Sequence, residues 1–127
     1  MKALLDTNLL VAGDLSFTGY EVSVASLSWA ELQFGIRAAR SPLERARREA
    51  RIARLRAVLG DGLPFDDAAA EAYGTLCGVV LGNGREARGR MIDLMIAATA
   101  AAHDAAILTR NVSDFAGLEG LVAIKAV

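Results

Sequence analysis

Short apolar runs alternate with longer amphipathic stretches along the chain, which is a pattern typical of α/β proteins. The run at residues 2–5 ends at Asp6 and predicts a buried strand of a parallel sheet. The further predicted strands are residues 22–25, 106–109 and 121–125, together with a minimal strand at residues 63–65. Because strands and helices alternate, we expect a three-layer α/β/α sandwich whose central sheet is mostly parallel.

Capping residues mark where the predicted helices begin. Ser28, followed three residues later by Glu31, forms a capping box, and Ser41 before Pro42 is a second helix start. The predicted helices are residues 9–12 capped by Thr7 or Asn8, a helix beginning at Ser28, residues 42–59, a helix from Asp66 or Asp67 to Leu81, and residues 90–103. Ligands bind beyond the carboxyl ends of parallel strands, which is where this order places Asp6.

Composition limits the size and the surroundings of the protein. The 127 residues are 54% apolar and 23% charged, which favours a single domain over residues 1–127. The one cysteine, Cys77, excludes an internal disulfide and fits a reducing compartment. Asp6 interrupts the apolar start before it reaches signal-peptide length, and residues 94–102 are far shorter than the roughly 20 residues of a membrane span. We therefore expect a cytoplasmic protein that does not cross a membrane.

The inventory of reactive side chains points to carboxylates. His103 is the only histidine, which excludes a metal-free mechanism that uses two histidines of one chain. Both lysines, Lys2 and Lys125, lie near the termini, and no Gly-x-x-x-x-Gly-Lys-Ser/Thr phosphate-binding motif occurs. Chemistry in this chain must rest mainly on its acids and arginines.

Asp6, Glu31 and Asp93 lie within apolar stretches, and Asp114 follows the strand predicted to end at Thr109. Any one of these acids alone is consistent with a helix cap or an arginine partner. Four together repel one another and raise the pKa of their members unless a cation lies among them. Oxygen ligands select Mg²⁺ or Mn²⁺, and water on such an ion supplies a nucleophile for phosphoryl displacement. Whether one ion or two bind is open at this point.

The sequences around these acids resemble the PIN-domain nucleases and, within them, the VapC-type toxins. The resemblance covers essentially the whole chain and rests on four fragments in order: residues 4–8 (Leu-Leu-Asp-Thr-Asn), 28–35 (Ser-Trp-Ala-Glu-Leu, then Phe-Gly), 92–100 (Ile-Asp-Leu-Met-Ile-Ala-Ala-Thr-Ala) and 108–115 (Leu-Thr-Arg-Asn, then Asp-Phe). Any one fragment is weakly specific, whereas four in this order are fairly specific.

This resemblance implies a function as well as a PIN-domain-like fold. The implied catalytic and metal-binding residues are Asp6, Glu31, Asp93 and Asp114, with Asn8 and Thr109 supporting them. The implied activity is Mg²⁺-dependent endonucleolytic cleavage of RNA that leaves a 5′-phosphate and a 3′-hydroxyl, with Mn²⁺ able to replace Mg²⁺. The chain would then be the toxin of a type II toxin–antitoxin pair, restrained by a cognate antitoxin, and members of this kind usually form homodimers.

Arg90 and Arg110 flank the motifs and are candidate substrate contacts, because the guanidinium fork matches phosphate. The alternative is that both are ordinary solvated arginines.

Eight arginines against two glutamates between residues 37 and 56 give this segment a local charge of +6. The segment includes most of the helix predicted at residues 42–59. It is either a surface for the RNA backbone or an antitoxin, or a solvated helix face that turns Ile52, Leu55 and Leu59 inward. The sequence leaves both interpretations open.

Two other functions are consistent with these residues. Asp6 at a strand end is a candidate phosphoryl-accepting nucleophile, although that chemistry usually uses a lysine, and the chain has none away from its termini. An RNA- or partner-binding module without catalytic activity would instead use the arginine segment and keep the acids as structural groups. Metal-dependent cleavage that is lost on substitution of Asp6 or Asp93 distinguishes the nuclease from both.

Overall fold

The computed structural model of the chain describes residues 1–13, 15–84 and 90–127. The strands are β1 (Lys2–Leu5), β2 (Glu21–Ser23), β3 (Ala106–Thr109) and β4 (Ile124–Ala126). The α-helices are α1 (Thr7–Ala12), α2 (Ser26–Arg37), α3 (Pro42–Leu59), α4 (Asp67–Gly82) and α5 (Met91–Ala102), and a 3₁₀ helix spans Val112–Phe115. None of the helices in the described ranges is long and apolar enough to cross a membrane.

The sheet has the strand order β2-β1-β3-β4, and every pair in it is parallel. Leu5 at the end of β1 pairs with Leu108 in β3, so the two central strands end side by side. The predicted three-layer α/β/α sandwich is therefore confirmed, with a sheet that is wholly parallel in the described residues.

Side chains of the central strands alternate between two hydrophobic cores, one on each face of the sheet. Leu4 and Ile107 pack with α4 and α5, whereas Leu5 and Leu108 pack with α1, with Trp29 of α2 and with Leu55 of α3. This alternation follows from the period of two along a strand. Because both faces are covered by helices, the apolar strands are buried, and polar groups of the central strands are expected where these strands end.

Two of the predicted helix starts are confirmed. The hydroxyl of Ser41 accepts a hydrogen bond from the main-chain nitrogen of Glu44 at 3.1 Å, and α3 begins at Pro42 and ends before Gly60. The Asp66 carboxylate caps α4 in the same way by accepting from the main-chain nitrogen of Ala69 at 3.0 Å.

The other two predicted caps are wrong. Helix α1 begins at Thr7, with Asp6 preceding it, and α2 begins at Ser26, so Ser28 lies inside the first turn and forms no capping box. The reason is that these side chains have other partners. Asp6 bonds to Thr109, and Thr7 bonds to both Ser28 and Glu31.

Strand boundaries also differ from the predicted ones. The strand expected at residues 22–25 is Glu21–Ser23, and the minimal strand at residues 63–65 is reduced to one bridge between Ala25 and Leu63. The strand expected at residues 121–125 begins only at Ile124, because the main-chain nitrogens of Leu121 and Val122 bond back to Leu118 in a turn.

Gly62 allows the chain to pass close to the start of α2. A Cβ atom at this position would lie 2.5 Å from the main-chain nitrogen of Ser26 and 2.9 Å from the carbonyl carbon of Ala25. The next residue, Leu63, bonds through its main-chain nitrogen to Val24 and through its oxygen to Ser26, at 2.8 and 2.9 Å. Only glycine fits this approach without moving the backbone.

Gly62→Ala is therefore expected to lower the free energy of unfolding by about 1–3 kcal/mol or more, as overpacking against a fixed backbone does. Gly74→Ala is the matched control, since Gly74 lies within α4 with open space around it. Alanine there should stabilise the protein by about 0.5–1 kcal/mol. Urea unfolding of both variants measures the difference, and equal stabilities would contradict the close approach.

Candidate active site

The neighbouring ends of β1 and β3 place Asp6 beside Thr109. Asp6 is only 4% exposed, and its Oδ2 atom accepts a hydrogen bond of 2.8 Å from the hydroxyl of Thr109, which is fully buried. Burial raises the pKa of Asp6, the hydrogen bonds from Thr109 and the Thr7 main chain lower it, and the charge of Asp114 raises it further. Thr109 therefore fixes the orientation of a carboxylate that the fold removes from water.

Glu31 is brought to the same edge of the sheet by a contact between α1 and α2. Its Oε1 atom accepts a hydrogen bond of 2.7 Å from the hydroxyl of Thr7, the residue that follows Asp6. The Thr7 hydroxyl also hydrogen-bonds the buried Ser28 hydroxyl, at 2.9 Å. The Glu31 side chain is exposed, so this hydroxyl pair restrains it where packing does not.

Asp93 lies in the first turn of α5 and is half-buried. Its pKa is raised to about 6, first by burial and then by the charges of Asp114, Asp6 and Glu31, while Arg90 lowers it. The structure thus brings all four acids within electrostatic range of one another.

Asp114 lies in the 3₁₀ helix Val112–Phe115 and is half-buried. Arg90 reaches across from the start of α5 and donates through Nη2 to the main-chain oxygen of Asp114. At the start of the same segment, the Thr109 hydroxyl accepts a hydrogen bond of 2.9 Å from the main-chain nitrogen of Asn111. Phe115 is fully buried and anchors the 3₁₀ helix in the core.

This donor set fits a hard divalent cation bound partly through water. All four side chains offer oxygen, which is the ligand atom that Mg²⁺ and Mn²⁺ prefer. No three acid, histidine or cysteine side chains of residues 1–13, 15–84 and 90–127 are already arranged to ligate one ion directly. Mg²⁺ commonly keeps several waters and takes only one or two carboxylates. This coordination suits an open ring of acids formed by Asp6, Glu31, Asp93 and Asp114.

The other sequence-predicted residues lie at different distances from this ring. Asn8 is exposed in the first turn of α1, directly after Thr7, and Arg110 is exposed directly after β3. His103 lies at the far end of α5, about 15 Å along the helix axis from Asp93. There its Nε2 atom is 3.3 Å from the oxygen of Pro64 and 3.7 Å from Asp66 Oδ2.

The sequence did not predict the positioning role of Thr7 and Ser28, and it left Arg90 as either a substrate contact or an ordinary solvated arginine. The spacing of Ser28 and Glu31 was itself a signal, since both residues belong to one turn of a helix. It was interpreted as a local cap, whereas the partner of both is Thr7, more than 20 residues earlier in the chain.

The arginine segment is partly structural. Arg48 pairs with Glu44 at 3.1 Å and donates to the main-chain oxygen of Gly35, which ties α3 to α2. Arg56 pairs with Asp61 at 2.9 Å and lies over the ring of Trp29. Ile52 and Leu55 are buried and Leu59 is half-buried, as the helical pattern predicted.

Two cavities open beside Glu31. One of about 240 Å³ lies between α1, α2 and α3, with Val11, Leu32 and Arg51 among its lining. The other, of about 380 Å³, is lined by Leu27, Ala30, Phe34, Ile92 and Glu31 itself. Glu31 therefore borders two depressions whose linings are largely apolar.

The raised pKa of Asp93 makes the metal-free protein less stable as the pH rises. An acid whose pKa is higher in the folded state than its model value of 3.8 binds more protons when folded, so stability falls between about pH 4 and pH 6. In the presence of chelator we expect Asp93→Asn to be more stable than the wild type at pH 7.5, by on the order of 2 kcal/mol, and nearly equal to it at pH 4.

Urea unfolding at the two pH values checks this prediction, and Asp67→Asn is the control. Asp67 is exposed at the start of α4, so its substitution should change the unfolding free energy by about 0.5 kcal/mol or less at either pH. An Asp93→Asn variant that is no more stable than the wild type at pH 7.5 would contradict the raised pKa of Asp93.

Comparison with known proteins gives a family match over most of the chain. Residues 3–119 match the PIN domain family. No curated protein sequence is significantly similar to the chain.

Solved structures with the same fold cover nearly the whole chain. VapBC-5 from Mycobacterium tuberculosis, a member of the VapBC family of toxin-antitoxin systems, is 28% identical with a TM-score of 0.78, over 99% of this chain and 97% of that chain. VapBC2 from Rickettsia felis, bound to a DNA fragment from their promoter, is 20% identical with a TM-score of 0.81, over 100% and 99%. FitAcB from Neisseria gonorrhoeae is 24% identical with a TM-score of 0.75, over 96% and 95%. The resemblance to VapC-type proteins is therefore borne out, and the last two comparisons show the shared fold alone.

Proposed function

Because the chain belongs to the PIN domain family, we propose that it is a divalent-metal-dependent endoribonuclease that acts as the toxin of a toxin–antitoxin pair. The observation that carries this proposal is the electrostatic coupling of Asp93 to Asp6, Glu31 and Asp114 at one edge of the sheet. A half-buried acid whose pKa is raised by burial and by neighbouring charges, as that of Asp93 is, is a functional-site signature, and a divalent cation relieves the repulsion.

The proposed chemistry is hydrolysis of an RNA phosphodiester bond. A divalent cation, preferably Mg²⁺ with Mn²⁺ as its substitute, supplies when bound a more acidic water and positive charge beside the scissile phosphate. Asp6 would hold the cation from the buried side, since Thr109 fixes its Oδ2 atom. Glu31 would contribute from the exposed side, held by Thr7. Asp93 and Asp114 complete the ring from α5 and the 3₁₀ helix.

The antitoxin partner is supported by the likeness to VapBC-5, a toxin-antitoxin system protein 28% identical to this chain. Exposed apolar side chains also lie around the two cavities beside Glu31. Phe34 is 74% exposed, and Val11 is 47% exposed. A partner segment that covered these groups would lie next to the acids and exclude RNA from them. A homodimer remains part of the proposal on the strength of the family resemblance.

Cleavage of RNA by the purified protein is the direct test. With Mg²⁺ present, Asp6→Asn and Asp93→Asn should each lower the cleavage rate by at least about 100-fold, the scale of losing a charge contact to the transition state. Chelator should abolish cleavage in the wild type, and added Mg²⁺ or Mn²⁺ should restore it. Gel analysis of end-labelled RNA measures the rate and the chemistry of the new ends.

Asp67→Asn serves as the control, since it removes an exposed carboxylate far along the chain from the motifs. Cleavage that survives both the chelator and the substitutions would end the metal-nuclease proposal. Tight RNA binding without cleavage, indifferent to divalent ions, would instead support a binding module.

The Thr7 hydroxyl gives a second test, because it touches Glu31 without being a metal ligand. Thr7→Val keeps the shape of the side chain and removes the hydrogen bond, so we expect a loss of activity of about 10- to 100-fold, as for other groups that orient metal ligands. Thr7→Ser retains the hydroxyl and should recover most of the activity. Thr18→Val, at an exposed turn, is the control. Equal rates for Thr7→Val and the wild type would contradict the role of Thr7 in positioning Glu31.

A further inference from the structure

Arg90 connects the two elements that carry Asp93 and Asp114. It stands immediately before α5, three residues ahead of Asp93, and is half-buried. Its Nη2 atom donates to the main-chain oxygen of Asp114, and both terminal nitrogens lie 3.4 Å from the oxygen of Ala116. One guanidinium therefore joins the start of α5 to two carbonyl groups around the 3₁₀ helix.

The segment that carries Asp114 is held at its other end by a different contact. The main-chain nitrogen of Asn111 donates to Thr109, and the nitrogen of Asp114 donates to the oxygen of Asn111 at 3.0 Å. The 3₁₀ turn is thus closed on the Thr109 side by a hydroxyl and on the far side by Arg90. Asp114 lies between these two fixed points.

The hydrogen bonds of Arg90 to this segment go to carbonyl oxygens and not to carboxylates. Within the described residues it forms no ion pair with an acid. A guanidinium that paired directly with Asp93 or Asp114 would compete with a cation for the same oxygens. Contacts to the main chain position Asp114 without using the ligand atoms.

We propose that Arg90 is a positioning residue that keeps Asp114 facing Asp93, so that both acids bind the same cation. This inference rests on the proposed function. It assigns to Arg90 a role in metal binding that acts through Asp114, in place of the contact with substrate that the sequence suggested.

Whether the removal of Arg90 strengthens or weakens metal binding distinguishes a positioning role from a purely electrostatic one. If Arg90 acted only as a nearby positive charge, its removal would tighten the binding of a cation. If it positions Asp114, its removal weakens binding, because a ligand is released from the ring. A lysine at this position keeps the charge but not the planar fork that spans two carbonyl groups, so Arg90→Lys should also weaken binding.

The experiment compares the wild type with Arg90→Gln and Arg90→Lys. Calorimetric titration with Mn²⁺ measures metal affinity without RNA, and we expect a loss of about tenfold in both variants. Hydrogen exchange of the metal-free proteins should show faster exchange in residues 111–118 than in the wild type. Lys125→Gln, which removes one exposed positive charge from β4, is the control and should change neither measurement. Thermal melting confirms that each variant is folded.

Unchanged or tighter Mn²⁺ binding by folded Arg90→Gln, with unchanged exchange at residues 111–118, would overturn the positioning role. The failure of the proposed function looks different. In that case the wild type itself would bind no Mn²⁺, or Asp93→Asn would bind it equally well, and the role of Arg90 in metal binding would fall with it. If one of the two Arg90 variants is too unstable to titrate, the other one decides. Arg90→Lys keeps the positive charge at this position, and Arg90→Gln keeps a polar side chain without the charge.

Discussion

Mutual repulsion among the acids at the carboxyl edge of the sheet is the constraint on which the rest of the site depends. The pKa of Asp6 and the pKa of Asp93 are raised, first by burial and further by the charges of neighbouring acids, and this makes the folded protein less stable at neutral pH. A fold selected for stability alone would pair or disperse them. Asp6 and Glu31 accept hydrogen bonds from neutral threonine hydroxyls, which orient an acid without cancelling its charge. The positive charge of Arg90 lowers the pKa of Asp93, yet that pKa stays above its usual value. A bound divalent cation would relieve the remaining repulsion.

The parallel sheet explains why the acids meet. Asp6 follows β1 and Thr109 ends β3, and these central strands are neighbours although the residues are 103 positions apart. Helices on both faces bury the strands, so polar groups concentrate where the strands stop. Glu31, Asp93 and Asp114 then reach that point from α2, α5 and the 3₁₀ helix. Such an arrangement tolerates large changes in helix surfaces as long as the strand ends stay in register.

Local patterns predicted the fold well where a feature depends on neighbouring residues. The helix beginning at Pro42 has its cap, its proline and its final glycine within the chain segment itself, and its bounds are as predicted. Prediction failed where a side chain has a distant partner. The residues that follow Ser28 predict that it caps a helix, yet its hydroxyl bonds to Thr7. Thr7 or Asn8 is likewise the cap that the local sequence predicts for α1, yet the helix already begins at Thr7, whose hydroxyl bonds to Ser28 and Glu31.

The difference between neighbouring and distant partners also explains which residues of the candidate site could be predicted from the sequence. The acids could be identified because an acid in an apolar stretch needs a partner, and four such acids are hard to explain separately. The groups that position these acids could not be identified from the sequence, because a threonine, a serine and an arginine are common residues whose role depends on what they contact. Arg90 looks like a surface charge in the sequence, and only the path of the chain after β3 brings the carbonyl groups of Asp114 and Ala116 to it. The proposed ligands are thus encoded in composition and order, whereas their precise placement is encoded in contacts between distant segments.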